Sequence, residues 1–121
     1  MFRFASKLAL AALLALALFA PAANAGTTYS PLDECHDVWS HSRMTFYRTF
    51  DAYEWAEVTA IGDGDTDLDL YVYDQRGNLV AIDDDLTDYC VASWIPEYRQ
   101  RYQIVILNRG SVYNRVCIGS N

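Results

Sequence analysis

The stretch Leu68-Asp69-Leu70-Tyr71-Val72-Tyr73 alternates apolar and polar side chains with a period of two. In an extended strand successive side chains point to opposite faces. Leu68, Leu70 and Val72 therefore share one face, and Asp67, Asp69, Tyr71 and Tyr73 share the other. A helix, with its 3.6-residue period, cannot sort these residues that way. A half-buried strand is thus fixed at the centre of the chain. Its surroundings must supply strands to pair with and a second layer to cover its apolar face.

The flanking sequence supplies both. Residues 44–50, 55–61, 79–82, 89–95, 102–107 and 112–118 are short runs rich in β-branched, aromatic and other apolar residues. Turn signals separate them. Asp74-Gln75-Arg76-Gly77-Asn78 is a hairpin loop, with Gly77 at the positive-φ position of a type I turn with a bulge. Asp83 to Asp88 is an acidic loop, Pro96 stops the run 89–95, and Asn108-Arg109-Gly110-Ser111 reads as a second hairpin turn. Short strands at such spacing, with no helical period, predict an all-β antiparallel sandwich or barrel. The expected core is Phe46, Phe50, Val58, Leu68, Leu70, Val72, Val80, Trp94, Ile104, Ile106, Val116 and Ile118.

Ahead of this lies a leader. Arg3 and Lys7 precede an apolar run from Leu8 to Ala20, then Pro21 and the A-x-A site Ala23-Asn24-Ala25. That is the pattern of a secretory signal peptide over 1–25. The run is shorter than the roughly 20 residues that span a bilayer, so no membrane embedding is expected after cleavage. The remaining organisation is an N-terminal arm, 26–42, and one β domain, 43–121. Of the 9 basic residues the leader takes Arg3 and Lys7, leaving seven arginines against 16 acids, a net of −9. Phosphate binding needs a basic surface, so nucleic acid is excluded as a partner. The location expected is periplasmic or secreted.

Export permits disulfides. With Cys35, Cys90 and Cys117, one internal bridge can form. Strand parity puts Cys117 on the face opposite Val116 and Ile118, where an arm carrying Cys35 could cross. Cys90 shares parity with Ala92 and Trp94, as a buried thiol would. Cys35–Cys117 is the pairing this favours, and Cys90–Cys117 is the alternative.

The run from Gly62-Asp63-Gly64-Asp65 through Leu68-Asp69-Leu70-Tyr71-Val72-Tyr73-Asp74, then Gly77-Asn78-Leu79-Val80, Thr87-Asp88-Tyr89-Cys90 and Asn108 to Asn114, resembles the bacterial pre-peptidase C-terminal domain. The likeness covers roughly 45–118. It implies a jelly-roll-like antiparallel β-sandwich of about seven to eight strands. Some relatives bind calcium or fibrous substrates. Two departures stand out: no peptidase accompanies the domain, and Arg99-Gln100-Arg101 stands where relatives carry a glycine.

Asp63, Asp65 and Asp67 at the entry to one strand, with Asp83, Asp84, Asp85 and Asp88 in the acidic loop, form a candidate calcium site. Hard oxygen donors in such density suit Ca²⁺, which takes 6–8 oxygens. Leu68 at the sixth position of an EF-hand template, and the strand after it, exclude that motif. Tyr71, Tyr73, Tyr113 and Arg115 project outward by parity and form a candidate binding surface, since Tyr and Arg are enriched at interfaces. No Gly-x-Ser-x-Gly elbow, phosphate loop or mature-chain Lys is present, and so small a sandwich leaves little room for a deep pocket. The function expected is a non-catalytic module that binds or attaches to an extracytoplasmic protein or polymer. The alternatives are a structural accessory to another exported protein and, below that, a small secreted hydrolase.

Overall fold

In the computed structural model, which describes residues 34–121, the alternating stretch is strand β4. The elements are β1 (Glu34–Val38), β2 (Arg43–Phe50), β3 (Ala56–Ile61), β4 (Leu68–Tyr73), β5 (Leu79–Asp83), β6 (Tyr89–Trp94), β7 (Gln100–Asn108) and β8 (Asn114–Ser120). They form two four-stranded sheets, β1-β8-β3-β6 and β2-β7-β4-β5. Every pairing is antiparallel. The expected all-β sandwich is present, with the strand order of a double-Greek-key jelly roll. The leader read at 1–25, and the arm before Glu34, lie outside the described residues.

Register explains the core. Leu68, Leu70 and Val72 stand opposite Asn108, Ile106 and Ile104 of β7. From the other sheet Val58, Ala60, Cys90, Ala92, Val116 and Ile118 meet them, all buried. Fully burying one aliphatic side chain of this kind contributes about 1.5–3 kcal/mol. Phe50, Trp94 and Tyr102 close one end, with ring centroids 4.9 to 5.9 Å apart.

The structure revises the expectations at four places. Part of the arm is a strand: β1 pairs with β8, placing Cys35 directly across from Cys117. The turn at Asn108–Ser111 is not a hairpin, because β7 and β8 belong to different sheets and the chain crosses between them. Among the described residues, only β4–β5 is a hairpin within one sheet. There Gly77 adopts φ 86° as the turn requires, and its N–H donates to the carbonyl of Asp74. Val80 is exposed rather than core, since the register shifts beside it between Val72 and Tyr73 and β5 is an edge strand. Val112 is likewise exposed, in the loop before β8.

Cys35 and Cys117 form the disulfide, and Cys90 is the buried free thiol. Such a bridge marks a chain that folds in an oxidising, extracytoplasmic setting. Among the described residues no helix is long and apolar enough to cross a membrane.

Candidate functional site

At one end of the sandwich the loops 62–67, 84–88 and 109–113 meet in an acidic rim. Asn108 and Asn114, both wholly buried, tie it together. The Asn108 amide donates to the carbonyls of Val38 and Val112, and its Oδ1 accepts from Gly110 N–H. The Asn114 amide donates to Thr66, and its Oδ1 accepts from Asp63 N–H. Gly62 sits so close to Asn114 and Asp88 that a Cβ there would lie 2.5 Å from Asp88 Oδ2. Sequence reasoning passed over both asparagines, although each sits at a strand terminus where an Asx side chain can bond neighbouring backbone.

Most of the rim carboxylates serve as backbone acceptors. Asp63 accepts from Asp65 N–H at 3.2 Å and Arg115 N–H at 3.0 Å. Asp83 accepts from Val91 N–H at 2.8 Å. Asp85 accepts from both donors of Thr87, and those bonds hold its carboxyl below the usual range. Asp88 accepts from Gly64 N–H. Asp65 and Asp84 are exposed. Among the described residues, no three His, Cys, Asp or Glu side chains gather as a metal-ligating group.

Asp67 and Asp69 differ from the others. Asp69 is 1% exposed, and Arg109 and the Tyr71 hydroxyl both donate to its Oδ2. Its Oδ1 and that of Asp67 are buried without a partner among the described residues. Burial, then the neighbouring Asp69, push the Asp67 carboxyl up, against the pull of Arg109. The bond to Asp69 in turn holds the Arg109 guanidinium protonated. Asp69 was absent from the expected ligand set, although it shares strand parity with Asp67. The Cys90 thiol behind them is pushed up to about 12, by burial first and then by Asp83, Asp85, Asp69 and Asp67. It therefore stays a thiol, and inert, at neutral pH.

The expected binding surface divides in two. Tyr71 and Tyr73 lie on the outer face of β2-β7-β4-β5, with ring centroids 6.5 Å apart and planes 19° from parallel. Tyr113 stands at the rim against Trp39, 5.9 Å between centroids. Arg115 lies on the outer face of the other sheet, paired with Asp37 at 3.0 Å. The Tyr71–Tyr73 face carries further side chains that the sequence reading missed. Arg43, Gln103, Val105 and Leu107 line a shallow groove of about 440 Å³ with the two tyrosines. Beside it Arg101 lies over the Tyr47 ring, 4.3 Å from its centroid. The missed signal was the parity of β2, where Arg43, Thr45, Tyr47 and Thr49 alternate with Met44, Phe46 and Phe50.

No protein-family model matches the chain, and no curated protein matches it.

Proposed function

We propose that the protein is a secreted or periplasmic, non-catalytic module that attaches to an extracytoplasmic polymer or protein through the outer face of β2-β7-β4-β5. One observation carries this reading: three tyrosines, Tyr47, Tyr71 and Tyr73, stand on one sheet face beside a groove edged by Arg43 and Gln103. Tyr offers wide contact area for few rotatable bonds, and Arg adds directional donors, a composition that suits binding. The jelly-roll order and the Asp-rich entry to β4 support the resemblance to pre-peptidase C-terminal domains.

The test is a pull-down of the mature protein with insoluble cell-envelope and extracellular material. Retention is expected, and Tyr47→Ala with Tyr73→Ala, which leave the bond from Tyr71 to the buried Asp69 in place, should release the protein at unchanged melting temperature. A protein that never leaves the supernatant, or a double variant retained as well as the wild type, overturns the proposal.

Calcium belongs to the same proposal as a stabiliser of the rim. Asp67 would gain most, since its buried Oδ1 has no donor and its carboxyl is already pushed up. Melting in excess chelator and in millimolar calcium checks this, because a ligand bound only to the folded state raises the midpoint. Identical midpoints remove the metal.

The alternative, an accessory that assembles with another exported protein, is favoured by β5. This edge strand exposes Leu79, Val80 and Ile82 and lacks the Lys or Pro that blunts free edges. A stoichiometric complex lost on Ile82→Lys would support that reading.

A further inference from the structure

We infer that the outer face of β2-β7-β4-β5 takes a linear anionic polysaccharide, one bearing carboxylate or sulfate groups at intervals; this rests on the attachment reading above.

The charge pattern leads there. The chain is strongly acidic overall, yet this face is not. Its outward positions are Arg43, Thr45, Tyr47 and Thr49 on β2, Arg101, Gln103, Val105 and Leu107 on β7, Asp69, Tyr71 and Tyr73 on β4, and Leu79 and Ile82 on β5. The one acid among them, Asp69, is already held by Arg109. Arg43 and Arg101 have no ion pair among the described residues, whereas Arg48, Arg99, Arg109 and Arg115 each have one.

The placement of these two arginines selects the ligand. Arg43 stands opposite Leu107 and Arg101 opposite Thr49, at the two ends of the β2–β7 pairing. Six residues at about 3.4 Å each separate them by roughly 20 Å. Tyr47, Tyr71 and Tyr73 lie between. A sugar ring presents C–H groups of partial positive charge, which match the negative face of an aromatic ring. Arg101 lies over Tyr47 without an ion pair among the described residues, and its guanidinium N–H groups can serve the bidentate pairing that carboxylate and sulfate accept. Gln103 and the exposed Thr45 and Thr49 add donors and acceptors for hydroxyls. A chain with rings in the middle and separated anions fits this stripe. A nucleic-acid strand also has flat rings, but its dense phosphates would meet the many uncompensated carboxylates of the rim.

The experiment is affinity electrophoresis of the mature protein through gels containing polygalacturonate, dextran sulfate, or neutral hydroxyethylcellulose, with single-stranded DNA as a further arm. Retardation by one or both acidic polymers is expected, falling at least tenfold in Arg43→Gln/Arg101→Gln and weakening as salt rises. Tyr71→Ala should weaken it as well. Both arginines are exposed, so the double variant should keep its melting temperature. Retardation by the neutral polymer alone, lost in Tyr71→Ala but not in the arginine variant, overturns the anionic ligand and leaves the attachment face standing. Retardation by DNA alone, or by acidic polymers with no dependence on the two arginines, overturns it too. No retardation in any gel, together with no retention by envelope material, overturns both readings.

Discussion

The two outer sheet faces of this sandwich are built from the same kinds of residue and finished differently. On β1-β8-β3-β6 the outward side chains of the β1–β8 pair satisfy one another: Cys35 is bonded to Cys117, and Asp37 pairs with Arg115 directly across the strands. On β2-β7-β4-β5 the outward tyrosines and arginines contact one another through ring faces but leave charge and hydrogen-bonding capacity open. The first face is closed and serves stability. The second is open: Asp69, Tyr71 and Arg109 bond one another there, but Arg43 and Arg101 have no ion pair among the described residues. Substitutions should therefore separate the faces, with stability lost on one and binding lost on the other.

The largest effect belongs to the closed face. Cys35→Ala with Cys117→Ala opens a loop of 82 residues, and the chain-entropy estimate for that length is a loss of about 4–5 kcal/mol in denaturant unfolding. Binding by the fraction that stays folded should be unchanged. If polymer binding falls before stability does, the division between faces is wrong. Next in size is the shared core. Leu70→Ala removes a wholly buried side chain and should cost about 2–5 kcal/mol. A cost near zero would mean that β4 is turned the other way.

That last result is the least expected, because β4 was the most legible part of the sequence. Its alternation names its inward face outright, and Cys117 was placed outward by the same parity. The strand of Glu34–Val38 was not legible. As an edge strand it buries only Val38 deeply, so it carries no apolar alternation to read. The crossing at Asn108–Ser111 was mistaken for a hairpin because turn chemistry records a reversal of direction and not which sheet the next strand joins. The rim was legible as acidic, but its roles were not: whether an aspartate accepts from backbone, as Asp63 and Asp83 do, or is buried beside another acid, as Asp67 is, depends on loops that meet only in the fold.

Asp67 gives a smaller effect of opposite sign, at the rim between the two faces. Its folded pKa is raised, so the ionised form penalises the folded state. The penalty is full at pH above that raised value and absent once pH falls below the ordinary value of 3.8, where both states are protonated. Asp67→Asn should therefore raise the melting temperature at pH 7 and change nothing at pH 3. Equal gains at both pH values would mean that packing, and not charge, sets the difference. In the presence of a cation bound at Asp67 the sign at pH 7 should reverse, and the same variant then reports on calcium.

The smallest expected effect completes the contrast between the faces. Asp37 and Arg115 are a cross-strand pair with side chains about half exposed. Water screens such a pair, and ordering two side chains offsets much of its attraction, so a double-mutant cycle should give about 0.2–1 kcal/mol. The closed face thus owes its stability to the disulfide and hardly at all to this ion pair. Arg101→Gln on the open face should cost equally little in stability, because its contact with Tyr47 is exposed, but it should weaken polymer binding, which Arg115→Ala should not. Arginines of similar exposure, one on each sheet, are then told apart only by the binding measurement. If both variants weaken binding alike, net charge rather than the Tyr47–Tyr71–Tyr73 face governs attachment, and the distinction between a closed and an open face fails.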